Sequence, residues 1–295
     1  EHEELQHLVG LGVLSHRKSC VKGFIDSLIF GEYVEAGANG FTNTLRLKHR
    51  KPFVNLPSTR VLYGEEVRGC VVAKEGTKFV CSDLSAMENI WKFNYQMPYD
   101  PEYVKSQQSE DFDPHLSIAL MGGLVTEDEV SFFKIVKEGF PKENYQQTKR
   151  LLEMLSWDAL KQQEEIKRIS KVRAAGKGTN YSCQFGAAAP TVARTAKIDL
   201  SVAKTLVKSY KKMNWSIEPI CNSLTKKKVS HGTYQLNPMN GMWYHLKKDR
   251  DSFSTLIQGS GSYLLDIWVA YIFNLRNKPE YDVKGGLRLI ATVHD

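Results

Sequence analysis

Three short segments carry residue types suited to phosphate and metal chemistry. In FVCSDLSAME, 79–88, alternation puts Phe79, Cys81 and Asp83 on one face of a strand that turns into a helix. Asp83 is then delivered at the strand's end, where a carboxylate can hold a hard divalent cation. The same letters also read as ordinary structure, a strand end followed by a Ser85-x-x-Glu88 capping box. In RAAGKGTNYSCQFG, 173–186, Arg173, Lys177, Tyr181 and Phe185 recur every four residues and form one drifting helical stripe. Two cations followed by two rings suit a nucleoside triphosphate, with charge on the phosphates and aromatic surface against base and sugar. The plain alternative is a solvated basic turn followed by a core-facing aromatic pair.

The third segment is ATVHD, 291–295, an apolar strand running into His294 and Asp295. Alone it says little, because any strand can end in polar residues. Together the three are more specific. Two strand-end aspartates with an Arg/Lys/Tyr helix between them are what two-metal phosphoryl transfer requires. The metals there lie about 3.5–4 Å apart, clamping the attacking and leaving oxygens. Magnesium prefers one or two carboxylates plus phosphate oxygens, which matches so sparse a set of protein ligands.

These segments need elements to position them. The periodicity predicts a helical stretch over 3–35, a polar loop over 36–58, and strands at 70–73 and 79–83 joined by a Lys-Glu-Gly-Thr turn. Helices are expected at 85–94, 115–121, 127–139, 145–175 and 202–213, with a Pro-bearing loop at 97–112. Residues 224–248 read as short strands around Asn237-Pro238 and Asn240-Gly241, a hairpin. A helix over 259–275 leads to a last strand at 287–293. The class is α+β, with helices inserted within a sheet domain.

Bulk composition narrows the function classes. The 295 residues are 42% hydrophobic, enough for a sizeable core, and no run approaches the roughly 20 apolar residues of a membrane span. The opening EHEELQHL does not read as a signal peptide. A formal net charge of +7 favours polyanionic partners. Five scattered cysteines without a CxxC pair argue against a disulfide framework or a thiolate zinc site and fit a reducing compartment. No HExxH occurs among the eight histidines.

The combination resembles the family A DNA polymerases, the group of bacterial DNA polymerase I and several phage replicative polymerases. Asp83 and Glu88 stand where that family's motif A has its metal-binding aspartate and its sugar-sensing glutamate. Arg173, Lys177, Tyr181 and Gly186 match motif B, the fingers helix, and His294 and Asp295 match the opening of motif C. Weaker likenesses span nearly the whole chain. They are Thr44-Leu45-Arg46 with Asn55-Leu56-Pro57, then Arg68, then Asp113-Pro114-His115, and Arg250 with Gln258 in RDSFSTLIQG.

The resemblance implies a right-hand polymerase fold, a palm sheet with inserted helical fingers and most of the thumb absent. Residues 1–40 would be the tail of the thumb, 41–92 and 251–295 the palm, and 93–250 the fingers. It implies addition of deoxynucleoside triphosphates to a primer 3′-hydroxyl, in DNA replication. Asp83 and Asp295 would hold two Mg²⁺ ions. Arg173, Lys177 and His115 would bind the triphosphate, with Lys177 a candidate proton donor and Tyr181 near the sugar. Thr44, Arg46, Phe185, Gly186, Arg250, Gln258 and His294 would contact primer-template DNA. The expected setting is the cytoplasm of a bacterial or phage-infected cell, away from membranes.

Three departures from the family pattern stand out. Asn89-Ile90-Trp91 replaces the leucine-arginine ending of motif A, and Phe185 replaces a tyrosine near the template base. The chain stops at Asp295, so it is expected to be a fragment that extends primers weakly or not at all by itself. One rival is a single-subunit RNA polymerase, disfavoured because Glu88 would clash with a 2′-hydroxyl where such enzymes carry a small residue. The other is a non-catalytic nucleic-acid-binding remnant, disfavoured by retention of Asp83, Asp295 and Lys177.

Overall fold

The computed structural model describes residues 3–50, 52, 56–276, 278 and 290. It is α+β, rich in helix, with small antiparallel sheets. The chain divides into two units, one formed by residues 1–85 and 262–295, the other by residues 86–261.

The first unit opens with α1 (Glu3–Asp26). The expected helix over 3–35 stops there because Phe30 and Gly31 take left-handed backbone angles. They turn β1 (Leu28–Ile29) back onto β2 (Tyr33–Val34). Within the expected polar loop, β3 (Ala38–Phe41) pairs with β4 (Leu47–His49). α2 (Gly64–Gly69) follows. The expected strands at 70–73 and 79–83 are not formed. Their turn exists, with Thr77 N–H donating to the Lys74 carbonyl at 2.9 Å and Gly76 at φ +77°. Among the described residues the flanking arms join no strand ladder and lie outside helix and strand, with Val72, Phe79 and Val80 in solvent. Alternating apolar residues make a strand only where a neighbour takes up the backbone groups and one face is buried. The expected last strand, 287–293, falls outside the described residues, apart from exposed Ile290.

The second unit is a helical body with one sheet. α3 (Met87–Gln96) and α4 (Pro101–Gln107) lead into α5 (Pro114–Met121), which is apolar nearly all round and therefore central. On one side Ile118 and Ala119 pack with Ala175, Leu206, Tyr210 and Met213. On the other Leu116 packs with Phe132, Phe133, Leu151, Met154 and Ile169. Those partners come from α6 (Glu127–Glu138), α7 (Lys149–Leu155), α8 (Ala159–Gln184) and α10 (Leu200–Met213). α9 (Ala189–Ala196) and α11 (Ile217–Ser223) complete the helices before the sheet.

The single helix expected over 145–175 is two, because the Asp158 side chain accepts from the N–H groups of Leu160 and Lys161 and starts α8 afresh. The expected loop at 97–112 holds α4, begun by an Asp100 cap and Pro101 at its first position. Residues 224–248 form the three-stranded sheet β5 (Lys226–Val229), β6 (Gly232–Leu236) and β7 (Trp243–Leu246), with the Asn237–Gly241 turn joining the last two. Its inner face carries buried Gln235, Tyr244 and Leu246. It is fastened to the first turns of α12 (Ser252–Leu275). Gln235 bonds both ways with Ser252, buried Asn237 donates to Ser260 Oγ, and Tyr244 lies against Gly259.

Candidate active site

α8 and α5 cross so closely that a Cβ on Gly176 would sit 2.2 Å from the His115 carbonyl oxygen. Only glycine allows that approach. It sets the start of α5 beside the stripe of α8 that carries Arg173, Lys177 and Tyr181, at one helical turn each. Four residues predicted from two distant segments therefore meet on one patch: His115, Arg173, Lys177 and Tyr181.

Asp113 organises the patch. Its Oδ1 accepts from the N–H groups of His115 at 2.8 Å and Leu116 at 3.0 Å, capping α5. Its Oδ2 takes the Arg173 Nε–H at 2.5 Å. Burial alone would raise this carboxyl. The Leu116 amide, the Arg173 guanidinium and the His115 amide outweigh it and hold the group below the usual carboxylate range. Arg173 is thereby fixed through Nε, and its two terminal nitrogens are the ones left for an anion. Asn180, one turn beyond Gly176, places Nδ2 3.4 Å from His115 Nδ1. An amide N–H donates, so Nδ1 accepts and the proton of the neutral ring sits on Nε2. Burial lowers the His115 pKa first, Asp113 opposes this, and Arg173 and Lys177 push it down further. The ring is therefore a neutral donor at pH 7.

Tyr181 is about half exposed, its ring 6.1 Å from that of His115 and 5.9 Å from Lys177 Nζ. The result is a basic, open patch with an aromatic floor. Asp113 entered the sequence analysis only as part of the Asp113-Pro114-His115 likeness, with no role of its own, and Asn180 did not enter it. Their signal was spacing alone: a Pro-preceding acid two residues before His115, and an amide four residues after a glycine.

A second grouping in the same unit joins Glu88, Gln258, Gly186 and Arg250 in pairs. Gln258 Nε2 donates to Glu88 Oε1 at 3.3 Å, and Tyr95 and Ser260 hydroxyls meet at 2.9 Å, tying α3 to α12. The expected Ser85-x-x-Glu88 capping box is absent: the cap of α3 is Ala86, at φ +52°, with no side-chain bond. Gly186, at φ +71°, ends α8 against Arg250, whose carbonyl oxygen would lie 2.6 Å from a Cβ there. Phe185 is the exposed C-cap residue of α8, which overturns the alternative of a core-facing aromatic pair at 181 and 185.

In the other unit, Thr44 is buried and Arg46 part-buried in the turn joining β3 and β4. The Thr42 hydroxyl holds that turn, meeting Thr44 Oγ1 at 3.1 Å and accepting the Arg46 N–H at 3.1 Å. Arg68 Nε donates to the Pro57 carbonyl at 2.6 Å. Asp83 is exposed on the unpaired 77–84 arm. His294, Asp295 and Asn55 lie outside the described residues. Among the described residues no three His, Cys, Asp or Glu side chains group to hold a metal, no helix is long and apolar enough to cross a membrane, and all five cysteines are free.

Compared with known protein families, the chain matches no family model. Compared with curated proteins, it matches none.

Proposed function

We propose that the chain carries the nucleotide-adding core of a template-directed DNA polymerase of the family A type, with palm and fingers. The observation that supports this best is the convergence of Arg173, Lys177, His115 and Tyr181 on one open patch between α5 and α8. Each residue type there suits one part of a deoxynucleoside triphosphate. The fork of Arg173, held by Asp113, faces phosphate oxygens, and Lys177 adds a mobile point charge. His115 Nε2–H donates without adding a third full charge. Tyr181 gives the sugar and base an apolar surface.

In the reaction the primer 3′-oxygen forms a bond to the α-phosphorus, and the bond from that phosphorus to the bridging oxygen breaks, releasing pyrophosphate. Lys177 is the proton donor to that leaving group, and the hydroxyl proton goes to solvent. Asp83 offers a single solvent-facing carboxylate, a donor of the right chemistry for Mg²⁺, and the resemblance gives the second to Asp295. Asp83 and Asp295 would hold magnesium in this reading, and the bound metal would supply Lewis-acid stabilisation of charge on the phosphoryl oxygens. Glu88, which takes the Gln258 amide, is the sugar gate of this reading. Thr44, Arg46, Phe185, Gly186, Arg250, Gln258 and His294 remain its DNA contacts, and the expected compartment is that of bacterial or phage DNA replication.

Equilibrium binding of deoxynucleoside mono- and triphosphates tests the patch. The triphosphate should bind far more tightly than the monophosphate. Arg173→Ala should weaken it by roughly ten- to a hundredfold, the range for a lost charged hydrogen bond of about 1.5–3 kcal/mol. Equal affinity for both nucleotides, or an Arg173→Ala variant that binds unchanged, would remove the assignment.

A further inference from the structure

The sheet β5–β6–β7 has a second face that the patch on α5 and α8 does not use. Register aligns Lys227, Tyr234 and His245 in one cross-strand row, and Leu236 with Trp243 in the next row of the same face. The opposite face is the packed one, fastened to α12 through Gln235 and Tyr244. The aromatic row is accordingly left toward solvent, with Trp243 exposed and Tyr234 and His245 half-buried. Its rings brace one another. Tyr234 lies 5.6 Å from His231 and 5.3 Å from His245, both strongly inclined to it. Gly232, at φ +150°, makes room: a Cβ there would come within 2.6 Å of His245 Nε2.

Charge sets this sheet apart from an ordinary surface element. Between Glu218 and Asp249 the chain has no acidic residue and five lysines, at 226, 227, 228, 247 and 248. The three on β5, an edge strand among the described residues, are exposed, Lys227 on the aromatic face and Lys226 and Lys228 on the other side of the strand. Lysine on an edge strand is a common guard against strand addition, which accounts for β5. It does not account for a braced aromatic row kept at the water beside that edge.

We infer that this face binds single-stranded DNA, bases stacking on Trp243 and Tyr234 while the phosphate backbone follows the lysine edge of β5. Stacking is open to any base because every base has a π-face, and the lysines add the salt-dependent attraction to phosphate. The choice of DNA, as the unpaired template, rests on the polymerase reading. The surface itself needs no nucleotidyl transfer.

Fluorescence anisotropy of a short labelled oligo(dT) on the whole chain tests this. Trp243→Ala should weaken binding about fivefold or more, the lower end of what one stacked base contributes. Trp243→Phe should restore most of it, which separates stacking from a folding defect. Lys227→Gln should lower the slope of log affinity against log salt by about 0.7. A blunt duplex should bind all of these alike. Unchanged oligo(dT) binding by a natively folded Trp243→Ala, or equal weakening toward duplex, overturns the inference and points to a protein partner for the face. Failure of the polymerase reading looks different: triphosphate binding would be absent while Trp243-dependent oligo(dT) binding persists, which leaves the surface standing.

Discussion

At the scale of single residues, the site is ordered by groups whose charge is fixed by neighbours. Asp113 is the clearest case, capping a helix with one oxygen and holding Arg173 with the other. Glu88 has two possible jobs that the structure helps to separate. It makes no capping box, so its removal takes no cap bond from α3, and the lost Gln258 hydrogen bond accounts for about 1 kcal/mol. In the proposed role of sugar gate its carboxylate would occupy volume that a 2′-hydroxyl needs. Glu88→Ala in the full-length protein should lower discrimination against ribonucleotides at least tenfold, about 1.4 kcal/mol. Incorporation ratios for ribo- and deoxynucleotides, with a melting curve on the same variant, check it; unchanged selectivity returns the single-subunit RNA polymerase to contention.

Lys92 is a residue the sequence reading passed over. It sits on α3 with its ammonium almost wholly buried, 5.7 Å from the centre of the Tyr210 ring. Burial lowers its pKa to about 8, well below the ordinary lysine value near 10.5. The unfolded chain thus binds the proton more tightly between these values, so stability rises with pH across that window and is reduced below it. The shift corresponds to about 3 kcal/mol at neutral pH. Lys92→Met should therefore raise the melting temperature at pH 7, and its advantage over the native protein should shrink as pH climbs from 8 toward 10. Thermal melts at several pH values measure this. A variant less stable at pH 7 would mean that Lys92 has a buried partner worth more than its desolvation costs.

At the scale of elements, the approach of α5 and α8 is the feature that makes the patch. Gly176→Ala would drive a methyl group into the His115 backbone, where nothing flexible can yield. The expected cost is about 2 kcal/mol or more, with His115 moved away from Arg173 and triphosphate affinity reduced along with stability. Gly178→Ala meets the Ala196 methyl at 3.0 Å and its Cα at 3.4 Å on α9, longer approaches that should cost less. Denaturant midpoints of the two variants rank the contacts, and equal midpoints would contradict the close crossing. The helix stripe at 173, 177 and 181 was legible in the sequence because α8 keeps one period through it. The meeting with His115 was not, because no local pattern encodes that Gly176 faces α5. The break at Asp158 and the start of α4 at Asp100 were both written as helix caps, overlooked where the apolar period ran on or where prolines suggested a loop. The strands around the 74–77 turn failed for the opposite reason: alternation at 70–73 and 79–83 was visible, but a ladder depends on a partner elsewhere in the chain.

At the scale of the whole molecule, the class, α+β, followed from the order of periodic segments, and the division at 85/86 and 261/262 brackets a largely helical body. The chemistry reads as two parts carried by different units. The patch of His115, Arg173, Lys177 and Tyr181 belongs to residues 86–261, and Asp83 belongs to the other unit. The proposed polymerase activity draws on residues of both units. Magnesium-dependent primer extension by the full-length protein, on a defined primer-template with all four deoxynucleoside triphosphates, tests this most directly. The native protein should lengthen the primer only with magnesium. Asp83→Asn and Lys177→Ala, one in each unit, should each slow extension by at least a hundredfold while leaving primer-template binding within a few fold. A native protein that binds primer-template yet adds no nucleotide, or extension that survives both substitutions, would contradict it.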